Sequence, residues 1–375
     1  MTEASTAPSI PFLDLSASHD GLKAAILEEI STLIDSGAFT NGPQVAAFES
    51  AFAEFCGTEY CAGTGSGLDA LRLALIAAGA GPGDEVLLPA NTFAATIEAV
   101  IQARAKPVLA DVGEDDYNLD PVAVEAAITP RSRFLLPVHL YGQLADMSAL
   151  TKIARKHGLA IIEDACQAHG GERDGFRAGA GGLAGCFSFY PGKNLGAFGD
   201  AGACVTDDEE LAAHIRALRE HGQRRKYFHD FEGYTARLDT IQALVLLRKL
   251  PLLAGWNEER RAAASFYTQA LDGVGDLVLP PVPEGSSPVW HLYVARTADP
   301  IKLADFLRER GVGCGHHYPI PLHLLPAYEH LGHARGDFPV TEHLADEAIS
   351  LPVFPGINEA QLETVIEAVG AYFRG

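Results

Sequence analysis

From Leu68 to Ile162 the chain alternates helix-length amphipathic stretches with short, nearly continuous apolar runs, and few folds accept that pattern. The spacing predicts helices over Leu68–Ala78, Ala94–Ala103, Val122–Ile128 and Ser148–His157, with strands over Glu85–Pro89, Pro107–Ala110, Phe134–Val138 and Leu159–Ile162 between them. Strands that read as apolar throughout are buried on both faces, and a helix between each pair supplies the crossover that parallel strands need. The expectation is an α/β fold with a mostly parallel sheet flanked by helices. Right-handed crossovers then bring every strand's C-terminal end to one edge, where open α/β sheets bind ligands. Upstream, Leu22–Ile34 and Val45–Phe55 read as helices on either side of a glycine-containing turn at Ser36–Gly42.

The pattern changes after about Pro251. A helix over Trp256–Leu271, a proline-rich segment Leu279–Pro288, a strand near His291–Arg296, and helices over Ile301–Arg310 and Glu359–Phe373 predict a smaller α+β domain. The expected division is residues 1–250 for a large domain with an N-terminal helical segment, and 251–375 for the small one. A chain of 375 residues can bury a sizeable core without staples, and its six cysteines contain no CxxC pair.

Charge excludes one class of partner. With 28 Lys and Arg against 49 Asp and Glu the formal charge is −21, a field that repels phosphate backbones and argues against nucleic acid. Residues 1–10 lack the basic start and apolar run of a secretory signal, and no apolar stretch is long enough to span a bilayer, so a cytoplasmic protein without a membrane partner is expected. Several catalytic motifs are also missing. Lys193 follows Gly192, but the spacing and the Ser/Thr of a phosphate-binding P-loop are absent; no GxSxG surrounds a serine; and His316, His317 and His323 lack the spacing of a metal site.

Three separated segments carry the chemistry. In Gly63-Thr-Gly-Ser-Gly-Leu-Asp-Ala-Leu71 small residues run straight into a helix, whose free N–H groups suit a phosphate. In Leu159-Ala-Ile-Ile-Glu-Asp-Ala-Cys-Gln-Ala-His169 an apolar strand ends in acidic residues, so Asp164 sits at the ligand edge, where it could serve a metal, a ribose hydroxyl or a protonated ring nitrogen. In Cys186-Phe-Ser-Phe-Tyr-Pro-Gly-Lys-Asn194 one lysine stands among aromatics, glycine and proline. A lysine in a partly dry site loses ammonium stabilisation and offers more of the neutral amine that attacks aldehydes. Ser188 could add a hydroxyl to the phosphate cradle. A phosphate cradle, a ring-nitrogen acid and a Schiff-base lysine are together what a pyridoxal-phosphate enzyme requires. Taken singly, each is also what an ordinary helix cap, a core serine or a solvated lysine looks like.

These segments resemble the DegT/DnrJ/StrS family of nucleotide-sugar aminotransferases, a fold-type I pyridoxal-phosphate group. The likeness runs from Ile10-Pro-Phe-Leu-Asp-Leu15 through Pro89-Ala-Asn-Thr-Phe-Ala-Ala-Thr96, Pro137-Val-His-Leu-Tyr-Gly-Gln143 and His317-Tyr-Pro-Ile-Pro-Leu-His323 to Leu351-Pro-Val-Phe-Pro355. The resemblance implies that Lys193 is the catalytic lysine that carries pyridoxal 5'-phosphate, and that Asp164 pairs with the ring nitrogen in a charge-assisted bond of roughly 1.5–3 kcal/mol. It implies that Gln167 bonds the ring hydroxyl, that Phe93 lies on the ring face, and that Ser188 with the backbone at Gly67 and Leu68 holds the phosphate. The family's asparagine, which reaches that phosphate from a neighbouring subunit, is replaced here by Thr235, two residues before Arg237-Leu-Asp239.

The resemblance further implies a homodimer with shared sites, L-glutamate as amino donor and a nucleotide-linked keto sugar as acceptor. Gly67-Leu-Asp-Ala-Leu71 looks like members acting on 3-keto dTDP-hexoses; a 4-keto UDP-sugar or a cyclitol ketone is the alternative. A pyridoxal-phosphate-binding regulator without turnover is a reading from another class. Substrate contacts are expected from Lys226, Tyr227, His229, His317 and Tyr318, some of them across a dimer interface.

Overall fold

The computed structural model describes residues 10–16, 19 and 21–375. Its centre is a seven-stranded sheet made of β1 (Tyr60–Thr64), β2 (Glu85–Pro89), β3 (Lys106–Ala110), β4 (Ser132–Leu135), β5 (Ala160–Asp164), β6 (Ala184–Ser188) and β7 (Gly202–Thr206). Their spatial order is β1-β7-β6-β5-β4-β2-β3. Helices α1 (Lys23–Ser36) and α2 (Pro43–Cys56) precede the sheet, and α3 (Gly67–Ala77), α4 (Ala94–Gln102), α5 (Pro121–Ala127), α6 (Met147–His157) and α7 (Glu209–Leu218) alternate with its strands. Every residue of β2 and β7 is buried, as expected where both faces of a sheet are covered.

One expectation about direction needs correction. β2, β3, β4, β5 and β6 run parallel, but β7 runs antiparallel to both β1 and β6, so it starts, rather than ends, at the ligand edge. Phe189–Ala201 contains no helix to carry the chain back across the sheet, so the next strand leaves from the same edge in the opposite sense. β5 also extends to Asp164 rather than stopping at Ile162, because Ile162, Glu163 and Asp164 pair with Ala184, Gly185 and Cys186 of β6.

After α8 (Thr240–Lys249) the long α9 (Leu253–Leu271) begins a second core. There β8 (Tyr293–Arg296) pairs antiparallel with β9 (Ala348–Leu351). These strands pack with α9, α10 (Pro300–Glu309) and α12 (Glu359–Phe373) around Tyr267, Leu303, Leu307, Val365 and Val369; α11 (Pro339–Glu347) leads into β9. Ile10, at the other end of the chain, bridges to Val312 and is buried in this same core. Among the described residues no helix is long and apolar enough to cross a membrane.

Candidate active site

The edge of the sheet where β5 and β6 end is also where β7 begins. Gly202, its first residue, pairs with Thr64 at the end of β1 and with Ser188 at the end of β6. The turn from β1 into α3 passes so close that a Cβ on Gly202 would lie 2.2 Å from the Ser66 carbonyl oxygen, and one on Gly67 2.6 Å from the Ser188 Cβ. Glycine at both positions is thus a condition of the turn reaching the sheet. Ser66 caps α3, its Oγ accepting the Asp69 N–H at 3.0 Å, and the Ala70 N–H bonds the Ser66 carbonyl. The Gly67 and Leu68 amides are left at the mouth of the helix, beside Ser188.

The end of β1 is pinned from behind. Glu49 of α2 accepts the Gly63 N–H at 2.8 Å, and Arg219, buried against Glu49, donates to the Gly63 carbonyl. A buried ion pair adds little net stability, but its directed bonds fix where the strand stops.

In front of this edge lies a cleft of about 580 Å³, within the usual range for small-molecule sites. Of the thirteen residues expected to bind or react, Gly67, Leu68, Phe93, Asp164, Gln167, Ser188, Lys193, His317 and Tyr318 line it together. Asp164 is 5% exposed at the end of β5; its Oδ2 accepts the Thr96 hydroxyl at 2.8 Å and its Oδ1 the Cys166 N–H at 3.2 Å. Glu163, its neighbour, points to the opposite face, as strand alternation requires. It is buried there, holding His139 and the amides of Gly179, Gly181 and Gly182. Lys193 stands half-buried in the turn after β6, and burial lowers its pKa from the usual lysine value, opposed by Cys166 and Asp164. Ser188 Oγ accepts the Tyr190 N–H at 3.3 Å.

On the facing wall, Gln167 Oε1 accepts the Tyr141 N–H at 2.7 Å while its Nε2 donates to the Tyr318 hydroxyl at 3.1 Å. Burial pushes the Tyr318 phenol up to about 12. His317 bonds Ser350 Oγ at 2.8 Å and stacks on Phe12, and burial, then the neighbouring His316 and Lys193, lower it to about 4. Phe93 ends 5.8 Å, ring centre to ring centre, from Tyr318.

Four expected residues lie elsewhere. Lys226, Tyr227 and His229 belong to an exposed hairpin formed by Gln223–Arg225 and Phe228–His229, and Thr235 lies beside it, its hydroxyl 3.0 Å from His221 Nε2. Conversely, the cleft includes Thr92, Thr96 and His291, to which sequence reasoning gave no role. Thr92, just before α4, and Thr96, in its first turn, stand four apart and their hydroxyls meet at 3.0 Å, a spacing legible in the sequence once Asp164 is known to need a donor. His291 carries no such signal. The other histidines of the stretch separate: His316 bonds the Ala345 carbonyl and His323 bonds Glu342.

This donor set fits pyridoxal phosphate, the cofactor that the sequence resemblance implies. Free helix amides and a serine suit its phosphate, a buried carboxylate suits its ring nitrogen, and a half-dry lysine suits its aldehyde.

Comparison with known proteins agrees. The profile of the DegT/DnrJ/EryC1/StrS aminotransferase family matches residues 20–370. The chain is 46% identical, over 98% of its length and 97% of the relative's, to a dTDP-3-amino-3,4,6-trideoxy-alpha-D-glucose transaminase of Streptomyces venezuelae. It is 43% identical, over 98% and 99%, to a protein of Geobacillus stearothermophilus named a pleiotropic regulatory protein. The crystal structure of S. venezuelae DesV in complex with a ketimine intermediate superposes with a TM-score of 0.96 at 46% identity, covering 98% of this chain and 99% of that one. This chain therefore belongs to the DegT/DnrJ/EryC1/StrS aminotransferase family.

Proposed function

We propose that this chain converts a nucleotide-linked keto sugar, a dTDP-3-keto-6-deoxyhexose, to its amino sugar with L-glutamate as amino donor, working as a homodimer. One observation carries the reading: Lys193, Asp164 and the Gly67–Ser188 cradle, from separate parts of the chain, open into one cleft. When bound there, pyridoxal phosphate supplies an aldehyde carbon for amines and a ring that takes up electrons. The protein does the rest. Asp164, held by Thr96 and the Cys166 amide, keeps its carboxylate aimed into the cleft. Lys193 Nζ removes the proton from the amino-acid α-carbon in the first half-reaction and returns one to the sugar carbon in the second. The Gly67 and Leu68 amides and Ser188 hold the phosphate dianion.

The exposed Lys226, Tyr227 and His229 fit substrate contacts made to the other subunit's cleft, and Thr235 with His221 fits the place of the family's cross-subunit asparagine. The division near Pro251 belongs to the same reading, with Ile10 counted in the C-terminal unit. Incubating the protein with glutamate and a panel of 3-keto and 4-keto nucleotide sugars, with mass detection of amino products, tests it. Amination of the 3-keto dTDP-hexose is the expected result; exclusive use of a 4-keto UDP-sugar or a cyclitol ketone corrects the substrate. The regulatory name of the Geobacillus relative favours a second reading, binding without conversion, which predicts no amino product and no change in cofactor absorbance with glutamate.

A further inference from the structure

The ring of His291 has its tautomer fixed by the fold. Two backbone carbonyls, which can only accept, set the direction of a chain of hydrogen bonds. Asn257 Nδ2 donates to the His169 carbonyl at 2.9 Å, so Asn257 Oδ1 accepts, and takes a bond from Asn194 Nδ2 at 3.0 Å. The same Asn194 nitrogen donates to the Val289 carbonyl at 2.9 Å, leaving Asn194 Oδ1 to face His291 Nδ1 at 3.1 Å. That oxygen carries no hydrogen, so His291 Nδ1 holds the proton and Nε2 of the neutral ring holds a lone pair.

The ring stays neutral. Burial first, then Lys193, Arg260, His169 and His317 around it, lower its pKa well below the usual histidine value. Among the described residues no bond is made at Nε2, yet His291 and Lys193 line the same cleft. The network therefore does two things at once: it clamps Asn194, the residue next to Lys193, and it leaves an unprotonated nitrogen on a ring that lines the same cleft as the lysine.

We propose that His291 is a positioning residue for Lys193, its Nε2 accepting a hydrogen bond from Lys193 Nζ whenever that amine is free and holding it in the cleft between its two proton transfers. This rests on reading Lys193 as the cofactor lysine. Asp164, Cys166, His169 and His317 are further titratable groups around that amine. An acceptor stabilises the ammonium over the neutral amine, so removing it makes the lysine easier to deprotonate.

The test uses cofactor-free protein, acetylated by acetic anhydride across a pH series, with modification of the Lys193 peptide read by mass spectrometry. In His291→Phe the labelling midpoint falls by about one pH unit, a ten-fold change in the ionisation constant, and His291→Gln, which restores an acceptor oxygen, brings it back toward wild type. Equal midpoints in wild type and His291→Phe overturn the proposal. So does 15N NMR of histidine-labelled wild-type protein that places the His291 proton on Nε2, a measurement that needs no variant to fold. Prior addition of pyridoxal phosphate protects Lys193 from labelling. Absence of that protection overturns the reading of Lys193, whereas protection with unmoved midpoints overturns only the role of His291.

Discussion

The cleft and the 223–229 hairpin carry the same trio of side chains, a lysine, a tyrosine and a histidine, in opposite physical states. In the cleft, Lys193 loses part of its ammonium stabilisation to burial, Tyr318 is bonded by Gln167 and pushed up to about 12, and His317 is lowered to about 4. On the hairpin, Tyr227 is 82% exposed, Lys226 lies over its ring at 5.2 Å, and His229 bonds the His221 carbonyl from the surface. Residue type therefore does not make a reactive group; desolvation and directed partners do. The hairpin side chains can acquire such partners only from another surface, in keeping with the proposed second subunit.

The sharpest break in this contrast comes at Lys193. Lys193→Ala should lower turnover by about 10⁴-fold, the upper end of what a positioned acid–base group contributes, and remove the bound cofactor's visible absorbance. Retained transamination would refute the assignment, while Lys226→Ala should keep the absorbance.

Next in size is a pH effect that arises just behind the cleft. His169 donates through Nε2 to the Ser188 carbonyl, and burial, with Lys193 nearby, lowers its pKa from 6.5 to about 3. The unfolded chain takes up this proton below pH 6.5 while the folded protein does not until about pH 3. The residue's contribution to stability is thus whole above 6.5 and is lost as pH falls toward 3, about 2–3 kcal/mol by pH 4.5. Denaturant melts at pH 7 and 4.5 should show a smaller difference for His169→Asn than for wild type.

Asp164→Asn keeps the shape of the cleft but removes its carboxylate. It should cost about 10- to 100-fold in kcat/KM, measured in single turnover with glutamate. Gly67→Ala places a Cβ against Ser188, so either the turn or β6 must shift. Cofactor affinity, titrated by absorbance, should weaken about ten-fold as the turn gives way at this edge of the sheet. The smallest effect belongs to the hairpin. Tyr227→Ala should raise the sugar KM by a few fold and leave the thermal midpoint unchanged, since the ring packs on little of its own chain. A clear loss of stability there would show that the hairpin is part of the core after all.

Much of this was legible in the sequence, for identifiable reasons. Glu85–Pro89 and Glu359–Phe373 are read to the residue because burial imposes its period locally. Asp164 and Lys193 stand out because a carboxylate ending an apolar strand and a lysine among aromatics are locally improbable. The reversal of β7 was not legible: Gly202–Thr206 reads the same in either direction, and only its pairing with Thr64 and Ser188 decides. Thr96 and His291 were silent for a related reason, since each matters through a partner distant in sequence, Asp164 for one and Asn194 for the other.

The sequence by itself determined the alternation of helices and strands and the apolar faces that form the cores, and it singled out Lys193 as the candidate reactive amine. Those follow from sterics and burial acting over a few residues. The tertiary structure alone decided which residues meet: that the turn after β1 reaches the end of β6 and the start of β7 through two glycines, that His291 lines Lys193's cleft, and that the hairpin does not. Such meetings depend on strand order and on approach distances across the sheet, and no local pattern in the chain encodes them.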